Sequence, residues 1–384
     1  MNPEFNLCVK MVGMGCAGLR LLDRVAAAGF PASSFLALDS DCEHLQRCQI
    51  AERVQLGETN RRGWGCSGDE GEGANCVRAA RDRIAGKLMG ADLVVIVAGM
   101  GGGMGGGGAP VVAEIASEGG ALVVALAIEP FDLEGHNEMA QIAVNRLTQV
   151  ADTVVRMPNQ NVMETLGKGA SVAECMEAAN GHVLEALMGL GRLARADGEL
   201  NVDFAHVRRL MTGYHGESSL VTVEVAGDAR PRALLEAILK HPYLNTGSEL
   251  RNCEGLIVSL VGDESMSMEE VNEFVTHLKA TAARAKLILG VHVDEAMGKG
   301  MGAMVLMPRM PVKTVLPVAP KPEPLQISMP KPVRNQPAST RDFQQQQLPL
   351  VPISKGRFDK GEPNLHDGED LDVPTFLRRN MILN

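Results

Sequence analysis

The chain has 384 residues, 45% of them hydrophobic, and a formal charge of -10 at pH 7. That length holds two ordinary hydrophobic cores plus a tail, and the negative balance argues against broad nucleic-acid binding and leaves any membrane contact to a local segment. One Trp and two Tyr leave little for base stacking, no apolar run approaches the roughly 20 residues of a membrane span, and the N-terminus lacks a basic-then-apolar signal. A cytoplasmic protein with no nucleic-acid partner and no direct membrane insertion is expected. Eight cysteines without a CxxC pair read as reduced thiols acting as small apolar residues, so no structural metal site is expected.

Residues 7–12 read as a strand, followed by Gly13-Met14-Gly15-Cys16-Ala17-Gly18 and a helix over about 19–28. A second strand, 34–38, ends in Asp39-Ser40-Asp41. Strand, GxGxxG, helix, strand and acid form the dinucleotide-binding fingerprint, so a nicotinamide or flavin enzyme is one reading. That fingerprint predicts neither the glycine-rich segment 57–73 nor a second glycine run at 99–110. The pattern continues with a helix over about 72–90 and a strand at 93–98, which reaches that second run.

The run is Gly99-Met100-Gly101-Gly102-Gly103-Met104-Gly105-Gly106-Gly107-Gly108-Ala109-Pro110, and a helix follows at 110–118. Without Cβ atoms its backbone can turn N–H groups inward, and a helix N-terminus adds partial positive charge, so phosphate is the expected ligand. A ligand-free tight turn needs only one or two glycines. Pro110 suits a first helical turn, where a missing N–H costs nothing.

A strand at 121–128, a helix over about 134–150 and a strand at 153–156 complete an alternation that predicts a doubly wound parallel sheet, with ligands at the carboxyl ends of its strands. Apolar residues at helical spacing over 172–195 predict a long helix joining two domains. Residues 201–206 read as a short polar-apolar loop. Strands at 220–225, 255–261, 287–293 and 304–307, with helices near 231–240 and 267–282, predict a smaller α+β second domain. From 311 the composition turns to Pro, Gln, Lys and Ser, which predicts a disordered C-terminal linker. It closes on Asp370-Leu371-Asp372-Val373-Pro374-Thr375-Phe376-Leu377-Arg378-Arg379, a short apolar-and-charged peptide that reads equally as a docking motif or a frayed end.

These motifs together resemble the bacterial cell-division FtsZ family of GTPases, relatives of tubulin. GMGGGMGGGGAP here resembles the family's GMGGGTGTGAAP, residues 13–20 match its GVGGGGGN in length, and residues 36–41 resemble FIAINTD. Residues 56–68 align with LGEKLTRGLGAGG, Pro130-Phe131-Asp132-Leu133-Glu134-Gly135 resembles PFxFEG, and DLDVPTFLRR is close to the family's partner-binding peptide DLDIPTFLRR. The resemblance implies a nucleotide-binding domain at 1–170, a central helix at 171–200, a C-terminal polymerisation domain at 201–310, a linker at 311–369 and a partner-binding peptide at 370–384. It further implies a homo-polymer that stacks head to tail at the midcell division site, with GTP or GDP and Mg²⁺ at each subunit interface. Membrane-adaptor division proteins would dock through residues 370–380.

Carried over by resemblance, the nucleotide site comprises Gly13, Gly15, Gly18 and Arg20; Gly101, Gly102, Gly103, Met104, Gly105, Gly106 and Gly107; Glu134, Glu138, Asn159 and Gly181. The catalytic loop comprises Asn201, Asp203 and His206. Several positions depart from the family. Met104 and Gly106 stand in place of two threonines, so hydroxyls facing phosphate or Mg²⁺ are expected to be absent. Cys16, Ala17 and Leu19 replace glycines, and Arg20 replaces an Asn. Glu138 replaces an Arg, Gly181 an acid that would accept from guanine N1 and N2, and His206 the second catalytic acid. These changes predict weakened guanine specificity and hydrolysis below the family's level. The readings are therefore a divergent GTPase of the division ring, a pseudo-GTPase paralogue that copolymerises with an active family member, or, on residues 13–41 alone, a dinucleotide enzyme.

Overall fold

The computed structural model describes residues 7–57, 63–193, 200, 202–212, 216–227, 229–244, 247–308, 365–366 and 369–370. Strand β1 (Val9–Met14) runs directly into α1 (Gly15–Ala27), and β2 (Phe35–Asp39), α2 (Cys42–Arg47) and β3 (Arg53–Gln55) follow. Only Met14, in extended conformation, and Gly15, at φ +65°, separate sheet from helix, so the first glycine motif is a sharp corner and not a loop. The helix expected over 72–90 is two, α3 (Glu70–Ala79) and α4 (Arg81–Leu88), broken at Ala80. After β4 (Leu93–Gly99) the glycine run turns into a π-helical segment, Gly103–Gly108, continuous with α5 (Ala109–Glu118).

Next come β5 (Leu122–Glu129), α6 (Asn137–Val150), β6 (Thr153–Pro158), the unforeseen α7 (Asn159–Leu166), and the long α8 (Val172–Leu193). The segment read as a loop at 201–206 instead opens α9 (Phe204–Met211), because the Asp203 carboxylate accepts the Ala205 N–H as its N-cap. β7 (Gly216–Ala226), α10 (Arg230–Leu239), α11 (Ser248–Asn252), β8 (Gly255–Gly262), α12 (Met268–Thr281), β9 (Lys286–Val293) and β10 (Gly300–Pro308) complete this unit.

The strands form one sheet in the order β3-β2-β1-β4-β5-β6-β7-β10-β8-β9. It is parallel from β3 through β7, antiparallel on both sides of β10, and parallel again between β8 and β9. β7 joins the edge of β6 through Thr153, Val154 and Val155, so the two halves share a sheet. Alternation along the strands feeds two cores. Val95 and Val97 face the α1 and α8 side, while Val94 and Ile96 face α3 to α6, as doubly wound sheets require. In the separate unit 317–384, residues Leu365–His366 pair antiparallel with Glu369–Asp370. The expected linker and the terminal peptide otherwise lie outside the described residues. Among the described residues no helix is long and apolar enough to cross a membrane.

Beside α8, the rings of His182, His241 and Tyr243 stack edge to face, with His182 and His241 centroids 4.7 Å apart. Burial, and secondarily the neighbouring His182, lower His241 to about 3. The fold therefore excludes the imidazolium that an unfolded chain, with a pKa near 6.5, would bind. Stability from this group is complete above about pH 6.5 and is lost as pH falls towards 3. Between pH 7 and 5 the loss amounts to about 2 kcal/mol. Urea unfolding at both pH values, for this chain and His241→Gln, should show a smaller pH-dependent loss in the variant.

Candidate functional site

The carboxyl ends of β1, β4 and β5 bring the first glycine corner, the glycine run and the Phe131–Glu134 turn to one edge of the sheet. Most of the glycines there serve packing. A Cβ on Gly105 would overlap the Gly99 carbonyl oxygen, and one on Gly107 would overlap that of Glu70. On Gly103 it would stand 2.7 Å from the Cys66 Cβ and on Gly101 2.9 Å from the His136 Cβ. Gly13 and Gly18 likewise seat β1 against α1: a Cβ on Gly13 would meet Leu22 Cδ1 at 2.8 Å, and one on Gly18 would overlap the Val97 carbonyl oxygen. Packing thus supplies a reason for many of these glycines besides a ligand. The backbone is close-packed against α3, and this alone forbids side chains at several positions.

The two threonine replacements also point elsewhere than expected. Met104 is 6% exposed and joins the core beneath α3 to α6, its Cε lying near Gly108. The missing Cβ of Gly106 faces Glu70 Oε1 and Ala143, between α3 and α6. There Glu70 Oε2 pairs with Arg146 at 2.8 Å. Met104 Cβ also lies 3.4 Å from the Cβ direction of Gly15, at the start of α1.

What remains open is Gly102, exposed and with nothing within 4 Å of its Cβ direction, at the start of the helical run. Cys16, Ala17 and Arg20 are exposed on the first turns of α1, and Ala17 Cβ lies 3.1 Å from the Gly99 Cβ direction. The N-termini of α1 and of the Gly103–Gly108 segment, neither carrying a side-chain cap, both open near this edge, and a helix N-terminus suits an anion.

Beside it lies a cavity of about 730 Å³ lined chiefly by Phe131, Leu133, Glu134, Met163, Val172 and Met176. That volume and apolar lining suit a base. Glu134 is on its wall, with Oε1 accepting the Phe131 N–H at 2.8 Å, and Glu138 is exposed in the first turn of α6. Asn159, first residue of α7, has a buried Oδ1 with no hydrogen-bond partner, an acceptor kept in reserve. Gly181 is not among the residues lining the cavity. It lies one turn beyond Glu177, whose carboxylate grips Arg24 of α1 through bonds of 3.0 and 2.7 Å. Met176, which lines the cavity, shares its face of α8 with half-buried Asn180, and Gly181 is turned about 100° further round.

Asp39 contradicts the dinucleotide reading. It is 2% exposed; Oδ1 accepts the Ser40 and Asp41 N–H groups and Oδ2 faces His44 Nδ1 at 3.0 Å, so neither oxygen is left for a ribose. Burial raises its pKa above the usual carboxylate value, outweighing those hydrogen bonds.

Asp203 and His206 are at the other end of the sheet. Arg208 of α9 donates to the Gly120 carbonyl at 2.6 Å, just before β5 begins, and Leu200 pairs with Val291. The 22-residue α8, about 33 Å long, separates them from the cavity. Both are exposed, with His206 Nδ1 3.1 Å from Asp203 Oδ2. Asn201 lies outside the described residues. Among the described residues no group of three or more His, Cys, Asp or Glu is placed to hold a metal ion.

Residues 8–167 match the family model described as Tubulin/FtsZ family, GTPase domain, and 216–310 that described as FtsZ family, C-terminal domain. The cell division protein FtsZ of Coxiella burnetii is 31% identical over 386 residues, covering 98% of this chain and 97% of that protein. The protein of the same name from Pseudomonas putida is 30% identical, covering 97% and 96%. An empty FtsZ dimer from M. jannaschii superposes with TM-score 0.73 at 27% identity, over 79% of this chain and 88% of that one. GDP-bound CetZ1 from Haloferax volcanii shares the fold, with TM-score 0.67 at 20% identity over 78% and 94%. With its parallel sheet, its glycine-lined edge and full-length likeness to these relatives, the chain belongs to the tubulin/FtsZ family of GTPases.

Proposed function

We propose that the chain assembles head to tail into filaments of the bacterial division ring, holds GTP between successive subunits, and hydrolyses it more slowly than its relatives. The observation that carries this reading is the separation of the two half-sites. The anion-suited edge and cavity lie at one end of α8, and Asp203 and His206 lie at the other. One chain cannot bring them together, whereas the next copy in a head-to-tail stack can, and a contact of that kind propagates as an open polymer.

The residues fit a nucleotide. Gly102 and the α1 N-terminus would receive phosphates, the cavity would take the base, and Glu134 and Asn159 would offer acceptors. Slower hydrolysis follows from an imidazole at 206 in place of a second carboxylate, and from Glu138, an anion beside a polyphosphate. Residues 1–170 and 201–310 would form the nucleotide and polymerisation halves, and 370–380 the adaptor-docking peptide. Sedimentation with GTP and Mg²⁺ should give polymer with slow phosphate release, and GDP should give none. Equal pelleting with both nucleotides would sink the nucleotide-dependent part of this reading.

A further inference from the structure

The turn after β5 serves two cavities. Phe131, Leu133 and Glu134 line the apolar one, whereas Pro130 and Asp132 line a second, polar cavity of about 470 Å³. Its other walls come from Glu129 of β5, Arg156 of β6, Glu217 and Ser219 of β7, and Glu249 of α11. Glu217 and Ser219 are two apart and share a face of β7, and Glu249 Oε2 accepts the Ser219 hydroxyl at 2.6 Å. Arg156 is the one cation among the lining residues. It grips Glu129 through Nε and, at 2.7 Å, through Nη2, while Glu217 Oε1 stands further off at 3.5 Å. Four carboxylates against one guanidinium leave an excess of three negative charges around this space.

Two further observations define what would fill it. Among the described residues no group of three or more His, Cys, Asp or Glu is placed to hold a metal ion, so these acids are spread over the cavity and do not converge on a point. Tyr243, 6% exposed, forms part of the same wall, and its buried hydroxyl has no hydrogen-bond partner in the chain. A donor could satisfy that oxygen. Surplus acid repels phosphates and carboxylates, and an apolar occupant would strand the polar lining.

We propose that this cavity binds a small linear polyamine, whose separated ammonium groups match the separated carboxylates. Ammonium N–H groups donate to Asp132, Glu217 and Glu249, and Tyr243 Oη accepts from one of them. The occupant ties β7 and α11 to β5 and β6, at a junction where β6 and β7 pair only through Thr153–Val155 and Gly216–Ser218. The inference stands apart from the nucleotide reading and does not depend on GTP being bound or hydrolysed.

Spermidine is the probe, titrated calorimetrically into the full chain at about 0.15 M salt, where scattered surface acids are screened. One saturable site is expected, and excess spermidine should raise the unfolding midpoint. Glu217→Gln combined with Glu249→Gln keeps an amide oxygen facing Ser219 and should weaken binding about tenfold or more. Glu269→Gln with Glu273→Gln removes the same charge from exposed positions of α12 and should change affinity by less than about twofold. Tyr243→Phe, which deletes the unpartnered oxygen alone, should weaken binding about threefold or more. If the first pair fails to fold, Asp132→Asn, which keeps an acceptor for the Asn137 amide, provides the same test with one charge. No saturable binding to the unaltered chain, equal losses in the two double variants, full affinity in the cavity variants, or displacement of spermidine by an equal concentration of Mg²⁺ would each overturn the proposal.

Discussion

Replacing Gly107 by Ala should lower the unfolding free energy by about 3 kcal/mol or more, while Gly102→Ala should leave it within about 0.5 kcal/mol. Both residues sit in one glycine run, yet their surroundings are opposite. The added methyl at 107 would overlap the Glu70 carbonyl oxygen, which belongs to the first turn of α3 and cannot swing aside. Relief requires α3 and the helical run to separate, and that opens the core around Val77, Met14 and Met104. At 102 the methyl meets nothing within 4 Å, and φ -103°, ψ 156° is ordinary extended backbone. Denaturant midpoints of the two variants, measured against the unaltered chain, decide the point. Equal midpoints would mean that the run is not close-packed as described.

Gly102→Trp carries the second large effect. A Cβ at 102 meets nothing within 4 Å and the residue is exposed, so the indole enters from open surface. An indole there would lie over the N-terminus of the Gly103–Gly108 segment, where unpaired N–H groups and the helix dipole are available to an anion. Affinity for a fluorescent guanine nucleotide should fall roughly 100-fold or more, about 3 kcal/mol, with the unfolding midpoint unchanged. Full affinity in a folded variant would place the phosphates elsewhere. Taken with Gly107→Ala, the pair separates two reasons for glycine that a sequence writes with the same letter.

That shared letter explains where sequence reading stopped. The strands at 93–98 and 121–128 were legible because runs of β-branched and aliphatic residues between turn signals have few other uses. The long helix over 172–195 was legible from its apolar spacing. The glycine run was legible as special but not as a helix, because the absence of a Cβ leaves no trace of whether ligand or backbone fills the space. Met104 and Gly106 suggested stripped phosphate contacts, whereas their directions into the core and towards Glu70 depend on the helical path of the run. Asp39 was legible as an acid in the right place, but only the structure shows both oxygens consumed. The start of α9 carried a signal, Asp203 at N-cap with Val207 and Met211 four apart, but a helix of eight residues leaves too little period to stand out.

In the proposed head-to-tail filament the chemistry belongs to two copies and not to one. Phosphate release per subunit, followed with GTP and Mg²⁺ over a range of protein concentrations, tests it most directly. Head-to-tail assembly should give almost no release below a threshold concentration and a steep rise in turnover per subunit above it, in step with pelleted polymer. Turnover per subunit that stays constant down to concentrations where no polymer exists would contradict it, because a single chain would then hold the complete site.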